Sequence, residues 1–265
     1  MTRPIAALAL TLPLVLATAP PAVAQKALND TGVDICYDDS NSTGTNEPVT
    51  HPRQDCRLGR DAANAVATLY KVGGGSKGFD FAKIANNGTG LPAGASLGTN
   101  PTDWACTLDN VTGLMWEVKT ATPATLRYAG HSYSWYSTDP TSNGGDPGSA
   151  DGHACGGTLP GNLCNTTAYT TAVNAGPGLC NHTDWRLPTA QELKTLVDYS
   201  QPYASGLPAV DGSYFPNTRQ DDPYWTSVSY AANPANATYV YFNGGYTVAF
   251  DKYDWHYVLL VRIGP

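Results

Sequence analysis

The segment 184–193 constrains the fold more than any other part of this 265-residue chain. Thr189 is followed three positions later by Glu192, which is the pattern of a capping box at a helix N-terminus. Apolar residues then recur at helical spacing, at Leu193, Leu196 and Val197. We therefore predict a helix that begins after Thr189, buries one face and ends before Pro202, because a proline pushes the preceding residue out of the helical region.

The residues just before this helix predict an extended approach to it. Pro188 disfavours helical backbone at Leu187, so Trp185 enters on an extended segment and is expected to place its indole in the core. Trp116 and Trp225 lie in patterns typical of strands. We predict that all three tryptophans are core residues.

The N-terminal residues have the pattern of an export signal. Arg3 is followed by an apolar stretch over 5–18 and by small residues at 22–24. We predict a signal peptide over 1–24 and a mature chain that begins near Gln25. No later apolar run approaches the roughly 18 residues that a membrane-spanning helix needs. The sequence therefore predicts a secreted, periplasmic or cell-surface protein without a membrane span.

Six cysteines lie in the predicted mature part: Cys36, Cys56, Cys106, Cys155, Cys164 and Cys180. An even number of cysteines in an oxidising compartment predicts disulfides, although spacing alone leaves many pairings open. We expect two local bridges, Cys36–Cys56 and Cys164–Cys180. The remaining pair would then be Cys106–Cys155.

The composition limits the partners of the chain. Only 14% of its residues are charged, and its formal net charge is −7. Binding to nucleic acid or to an anionic membrane depends on Lys and Arg, so we expect neither as a partner.

The chain divides by composition into two parts. Residues 25–103 are predicted to form an N-terminal extension and linker, with a short helix over 60–69, a strand or anchoring arm around 79–84 and a linker rich in Gly, Asn, Thr and Pro over 86–101. Residues 104–265 are predicted to form the main domain.

The pattern of the main domain predicts an α+β fold. A strand over 114–118 precedes a long loop over 131–163, and Thr166 or Thr167 can cap a helix that ends before Gly176. Further strands are predicted over 224–228, 238–242, 246–250 and 257–262. The last of these is continuously apolar, which predicts a strand in the centre of its sheet. The expected architecture is two helices packed on antiparallel sheets, with long loops held by disulfides.

Several short motifs occur in a fixed order through the main domain. They are Thr-Gly-Leu-Met-Trp-Glu at 112–117, the run over 180–193 with Trp-Arg-Leu-Pro-Thr at 185–189, Phe-Pro-Asn at 215–217, Tyr-Trp-Thr-Ser at 224–227 and Val-Arg at 261–262. In this order they resemble the bacterial DUF1566 domain, also called the Lcl C-terminal domain, over about residues 104–263. The resemblance implies a C-type-lectin-like fold and an exported binding or adhesion domain.

The resemblance extends distantly to the formylglycine-generating enzymes, which share the C-type-lectin-like fold. Those enzymes use a cysteine pair near the C-terminus, whereas no cysteine follows Cys180 here, and no Gly-x-Ser-x-Gly elbow or Walker loop is present. We therefore predict that the protein is not an enzyme. The adhesin that names the family recognises sulfated glycosaminoglycans. The acidic balance and the absence of collagen-like repeats argue against that ligand here.

No cofactor is predicted, and calcium is kept as an alternative. Many C-type lectins bind sugars through Ca²⁺ held by carboxylate and amide oxygens, but their Glu-Pro-Asn or Gln-Pro-Asp triplet is missing. Carboxylates recur in the loops at Asp139, Asp146, Asp151, Asp221, Asp222, Asp251 and Asp254. Turn formation is the simpler interpretation of these residues. His153 with Cys155 and Cys164 resembles a zinc-ligand set, but disulfides are favoured in an exported protein.

Aromatic residues in loops rich in Gly, Asn and Asp form the predicted ligand site: Tyr133, Trp135, Tyr136, Tyr230, Tyr253, Trp255 and His256. Aromatic faces stack on sugar rings while neighbouring polar groups bind the hydroxyls. Packing of these rings against the domain's own loops is the alternative. The leading hypothesis is recognition of a glycan or surface polymer. A protein-interaction or structural module of the cell envelope comes second, and an enzyme of the formylglycine-generating type comes third.

Overall fold

The computed structural model describes residues 27–152, 154–201 and 206–265. The predicted signal peptide and His153 lie outside these residues. The strands are β1 (Cys36–Tyr37), β2 (Ser42–Gly44), β3 (Phe81–Ala85), β4 (Gly90–Leu91), β5 (Trp104–Asp109), β6 (Leu114–Glu117), β7 (Tyr224–Ser229), β8 (Asn236–Val240), β9 (Thr247–Asp251) and β10 (Val261–Ile263). The α-helices are α1 (Gly59–Ala65), α2 (Thr166–Val173) and α3 (Ala190–Lys194). These elements form a mixed α+β fold with antiparallel sheets.

The larger sheet has five antiparallel strands in the order β10-β6-β5-β3-β4. The β5–β6 turn is held by the Asp109 carboxylate, which accepts hydrogen bonds from Val111 N (2.9 Å) and Thr112 N (3.3 Å). Gly113 completes this turn with a φ of 73°. β3 pairs with β5, and β4 lies inside the stretch predicted as a linker. The sheet therefore extends across the predicted boundary at residue 104.

The second sheet contains β7, β8 and β9, with β9 as an outer strand. The predicted hairpin around 243–245 is present, and β9 runs antiparallel to β8. Gly245 has a φ of 73°, and a Cβ at this position would lie 2.7 Å from the ring of Tyr199. The turn therefore needs glycine both for its conformation and for its close packing.

Residues 257–261 join the two sheets. Trp225 N donates to Tyr257 O over 2.9 Å on the side of the three-stranded sheet. Glu117 N donates to Leu260 O over 3.0 Å on the side of the five-stranded sheet. This segment therefore serves as a shared backbone between the two halves of the core.

The same segment separates two apolar clusters, which we call the α2 core and the α3 core after the helix that packs on each. Val258 and Leu260 belong to the α2 core. Tyr257, Leu259 and Val261 belong to the α3 core. The continuous apolar run is thus explained by burial on both faces. The prediction of a central strand is wrong, because only β10 is formed and it lies at the edge of its sheet.

The capping box of α3 is present as predicted. Glu192 N donates to Thr189 Oγ1 (3.2 Å), and Thr189 N donates to Glu192 Oε2 (2.8 Å). The helix is shorter than predicted, because it ends at Lys194. Asn29 Nδ2 donates to the carbonyl of Thr195 over 3.0 Å and so occupies an acceptor that a longer helix would use.

The three tryptophans predicted as core residues, Trp116, Trp185 and Trp225, are buried. The indole of Trp185 belongs to the α2 core, and its Nε1 donates to Leu179 O over 2.8 Å. α2 begins where the sequence predicted, but its cap is Asn165 rather than Thr166 or Thr167. The Asn165 side chain accepts a hydrogen bond from Ala168 N over 2.8 Å.

Of the predicted disulfides, Cys36–Cys56 is confirmed. The other two predictions, Cys164–Cys180 and Cys106–Cys155, are wrong, because the bridges are Cys155–Cys164 and Cys106–Cys180. α2 occupies the chain between positions 164 and 180. The segment after α2 then carries Cys180 to the larger sheet, where Cys180 N donates to Asn86 Oδ1 over 3.5 Å and Cys106 of β5 is its disulfide partner. The Gly-rich turn between positions 155 and 164 instead returns the chain on itself.

Candidate functional site

An open groove of about 630 Å³ lies between α2, the first part of the long loop and the segment that precedes α3. Its lining residues are Trp135, Tyr136, Ser137, Ser142, Thr166, Thr167, Thr170, Thr171, Asn174, Ala175, Arg186, Leu187 and Ser227. The lining combines an aromatic floor with many uncharged polar groups, which is the composition expected of a site for a polar organic ligand.

The exposed face of α2 supplies most of these polar groups. Thr167, Thr170, Thr171 and Asn174 follow one another at i, i+3, i+4 and i+7, so they lie on one side of the helix. Tyr169 and Val173 are buried on the opposite side, in the α2 core. The helix therefore presents a row of hydroxyl and amide groups because its other face is fixed by packing.

The first turn of α2 also fixes the near wall of the groove. Thr166 Oγ1 accepts a hydrogen bond from Tyr136 N (2.9 Å) and donates to Tyr136 O (3.0 Å). Thr167 Oγ1 donates to the same carbonyl. Trp135, just before Tyr136, is buried and donates from Nε1 to Thr226 O over 2.9 Å. These bonds hold the aromatic floor in one position without help from a ligand.

An ion pair closes one end of the groove. Arg186 donates from NH1 to Glu192 Oε2 (2.9 Å) and from NH2 to Glu192 Oε1 (2.6 Å). Burial raises the pKa of the Glu192 carboxyl, but the bonds from Arg186 and Thr189 outweigh that effect and hold the pKa below its usual value. Both the Arg186 guanidinium and the Glu192 carboxylate are therefore charged, and the pair has no net charge.

A second hollow of about 410 Å³ continues the groove toward the β7–β8 turn. The two hollows share Ser142 and Ser227 as lining residues. Thr141, Ser229 and Tyr230 add further hydroxyl groups to the second hollow. Together the two hollows form an extended, hydroxyl-rich surface, which we call the threonine groove.

Lys252 holds the far wall of the threonine groove from inside the protein. This lysine is fully buried, and its Nζ donates to Asn143 O (2.8 Å) and Asp146 O (2.6 Å). Nζ also lies 4.3 Å from the centre of a Trp135 ring. Burial lowers the pKa of the Lys252 ammonium, while the nearby Asp146 carboxylate opposes that shift. One buried cation thus ties the loop carbonyls to the aromatic floor.

We expect the Lys252→Met variant to lose about 2 kcal/mol of unfolding free energy, because two loop carbonyls lose their buried donor. Amide hydrogen exchange over residues 137–149 should accelerate while the strands keep their protection. The matched control is Lys194→Met on α3, which should change neither quantity. Unchanged exchange in the loop of the Lys252 variant would show that the wall is held by other contacts.

The aromatic residues predicted to bind ligand fall into three places. Tyr133 and Trp135 are buried in the α2 core, and Trp135 also lines the threonine groove as its floor. Tyr136 and Tyr230 line the threonine groove. The remaining three residues, Tyr253, Trp255 and His256, lie in the segment after β9, where the first two are exposed. The predicted residues therefore do not share one concavity.

The two predicted loops are nevertheless neighbours in the backbone. Tyr133 N donates to His256 O (3.0 Å), and His256 N donates to Tyr133 O (3.1 Å). Extended backbone alternates its side chains between two faces, and this pairing directs Tyr133 and Trp135 to the same, inner face. Sequence reasoning missed the threonine face of α2. The Thr-Thr-Ala-Tyr-Thr-Thr run at 166–171 could have indicated this polar face, because only its tyrosine is a large apolar residue suited to the buried side of the helix.

Three carboxylates come close together outside the main domain. Oxygen atoms of Asp30, Asp55 and Asp61 lie within 4.8 Å of one another. Burial raises the pKa of the Asp61 carboxyl, and Asp30 and Asp55 raise it further, while bonds from Gly78 N and Gly32 N oppose the shift. The loop carboxylates considered from the sequence form no such group of three among the residues that the structure describes.

The sequence profile of the Lcl C-terminal domain matches residues 105–262. No curated protein and no solved structure matches the chain. None of the helices in the described residues combines the length and apolar composition needed to cross a membrane. The profile covers more than half of the chain, from β5 to β10, and includes α2, the threonine groove and two of the disulfides. The chain therefore belongs to the Lcl C-terminal domain family.

Proposed function

We propose that the protein is an extracellular binding protein that recognises an uncharged glycan in the threonine groove. Membership of the Lcl C-terminal domain family supports an extracellular or cell-surface domain, and the disulfides are consistent with an oxidising compartment. The observation that carries the ligand class is the row of hydroxyl and amide groups on α2 beside the ring of Tyr136. Sugars need both hydrogen-bonding partners and an apolar face to stack on.

The charge of the groove favours a neutral sugar over a sulfated one. Arg186 is the cation in the lining of the larger hollow, and its guanidinium is bound by Glu192 in a bidentate pair. A sulfate would have to compete with that carboxylate and would meet its negative charge. A hydroxyl group can accept from Arg186 or donate to Glu192 without breaking the pair.

The same proposal includes a C-type-lectin-like arrangement, in which the long loop over 131–163 forms a wall of the binding site. It also assigns binding rather than catalysis. Cysteine-dependent oxidases need a reactive thiol, and all six cysteines of this chain are paired. Calcium is not required by this proposal, because the lining of the groove consists mainly of hydroxyl and amide groups rather than carboxylates.

The test is a glycan array on the mature chain with a Thr171→Trp variant, in which an indole would fill the larger hollow. Thr171 is exposed on α2, so the variant should keep its stability within about 0.5 kcal/mol. We expect neutral glycans to bind the parent protein equally with calcium or chelator and not to bind the variant. Thr45→Trp, at an exposed threonine far along the chain, should bind like the parent.

Absence of any glycan signal from the parent protein would refute the proposal. Binding that survives Thr171→Trp would place the sugar elsewhere on the protein. Selective binding of sulfated glycans that is lost in the variant would confirm the threonine groove as the site. It would refute the proposal that the ligand is uncharged.

A further inference from the structure

β9 and the residues that follow it form a second surface, which shares no lining residue with the threonine groove. β9 is an outer strand of the three-stranded sheet and is paired with β8 on one side. Outer strands of natural proteins are commonly protected by lysine, proline or a bulge. β9 reads Thr-Val-Ala-Phe-Asp and contains no lysine or proline, and its register with β8 is regular. We call residues 247–256 the β9 edge.

The β9 edge exposes large apolar side chains. Val248 and Phe250 lie on the same face of the strand and are 42% and 51% exposed. Tyr253 and Trp255 follow in the next turn and are 61% and 48% exposed. Several large apolar side chains exposed within ten residues of an outer strand are a feature of interaction surfaces.

The charge of the β9 edge is negative. Asp251 ends the strand, Asp254 follows in the turn, and the Asp222 carboxylate, outside the β9 edge, accepts a hydrogen bond from His256 Nδ1 over 2.7 Å. Desolvation raises the pKa of the Asp254 carboxyl, His256 opposes the shift, and Asp251 and Asp222 raise the pKa further. Among the described residues, no Lys or Arg forms an ion pair with any of the three carboxylates.

The cations that are near in sequence serve other contacts. Lys252 follows Asp251 directly, but its Nζ is buried against the carbonyls of Asn143 and Asp146. Arg219 is bound to Asp221 in an exposed pair. Asp251 and Asp254 are therefore available to the cations of a partner, while Asp222 is already bound by His256.

We propose that the β9 edge docks an extended segment of a partner protein that carries lysine or arginine side chains. Such a segment would add to the sheet beside β9 through backbone hydrogen bonds. Its cationic side chains would meet the carboxylates and the exposed faces of Tyr253 and Trp255, which attract cations. Charge complementarity selects this occupant over a second copy of the chain, an anionic polymer or an anionic membrane, because each of these would bring more negative charge to the same surface.

The probe is a fluorescent peptide of alternating lysine and valine, compared with the same peptide carrying glutamate for lysine. Binding to the mature chain is measured by fluorescence anisotropy, and amide exchange shows where the peptide lies. We expect only the lysine peptide to bind and to protect the amides of residues 247–251 from exchange. Its affinity should fall about tenfold or more when the salt concentration rises from about 50 to about 500 mM. Asp251→Asn combined with Asp254→Asn should weaken binding about tenfold or more, because the two carboxylates of the β9 edge lose their charge.

A second variant addresses the strand itself. Val248→Lys combined with Phe250→Lys places two cations on the docking face and should abolish binding of the lysine peptide, as protective lysines do on natural edge strands. The Thr171→Trp variant of the threonine groove is the matched control and should bind the peptide like the parent. Because that control removes the glycan site alone, failure of the peptide to bind is distinguishable from failure of the proposed glycan function.

Four outcomes would overturn the docking proposal. The two peptides could bind equally, the asparagine variant could bind like the parent, or no peptide could bind at all. Protection that appears outside the β9 edge would also overturn it, because the peptide would then occupy another surface.

Discussion

Replacing Cys106 and Cys180 together by alanine should lower the unfolding free energy by about 4.5 kcal/mol or more. This bridge joins β5 to the segment after α2 across 74 positions of sequence. Cross-linking of distant positions restricts the unfolded chain, and the loop-entropy relation gives about 4.5 kcal/mol for a closed loop of this length. Both cysteines are fully buried in the α2 core, so loss of their packing adds to the effect. Urea unfolding of the oxidised proteins measures the difference.

The matched control is the pair Cys155→Ala and Cys164→Ala. This bridge closes only 9 positions of sequence, and the same relation gives about 2.5 kcal/mol. Peptide mapping without reduction should recover a fragment that joins the peptides of Cys106 and Cys180. A Cys164–Cys180 fragment, or a larger loss in the control variant than in the long-loop variant, would contradict this assignment.

The sequence predicts local structure well where one residue pair decides it. The capping box needs only Thr189 and Glu192, and both bonds are formed. The hairpin between β8 and β9 depends on a glycine-containing turn and is also present. The burial of Trp116, Trp185 and Trp225 follows from their patterns. These features are local, so a single sequence contains the information that determines them.

Features that depend on distant contacts could not be predicted in this way. The end of α3 is influenced by Asn29, which lies 166 positions away in sequence and bonds to Thr195 O. Disulfide pairing depends on the contact between the segment after α2 and the larger sheet, and β3, just before the predicted linker, enters that sheet by pairing with β5. In each case the deciding partner is remote in sequence.

The candidate site also combines features that are local in sequence with features that depend on distant contacts. Sequence composition identified aromatic residues in loops, but it could not show which face of an extended segment turns inward. Tyr133 is buried away from the threonine groove, whereas the buried Trp135 forms its floor and the partly exposed Tyr136 lines it beside Trp135. The threonines of α2 were visible in the sequence, yet their role depends on the position of the long loop, which is fixed by Lys252.

A buried charged cluster at the centre of the α2 core is the basis of the second large effect. The Glu117 carboxylate is fully buried and pairs with Lys119 Nζ over 2.8 Å. It also accepts hydrogen bonds from Tyr169 OH and from Leu260 N, the latter over 2.9 Å. Burial lowers the pKa of the Lys119 ammonium, while Glu117 opposes the shift. One carboxylate therefore connects β6, α2 and the segment that joins the two sheets.

Glu117→Ala should lower the unfolding free energy by about 3–5 kcal/mol, because it leaves the Lys119 ammonium buried without a counter-ion. The hydroxyl of Tyr169 and the amide of Leu260 also lose their acceptor. The melting temperature should fall by about 10 °C, since each kcal/mol of lost unfolding free energy lowers it by about 2–4 °C for a domain of this size.

Two comparisons separate the effect of the unpaired charge from that of lost volume. Glu117→Met combined with Lys119→Met replaces the ion pair by apolar side chains of similar size and should recover much of the loss, because no buried charge remains. Asp221→Ala removes one partner of the exposed pair with Arg219 and should cost less than about 1 kcal/mol. A double variant as unstable as Glu117→Ala would mean that the hydrogen bonds to Tyr169 and Leu260, rather than charge balance, make this carboxylate necessary to the junction of the two sheets.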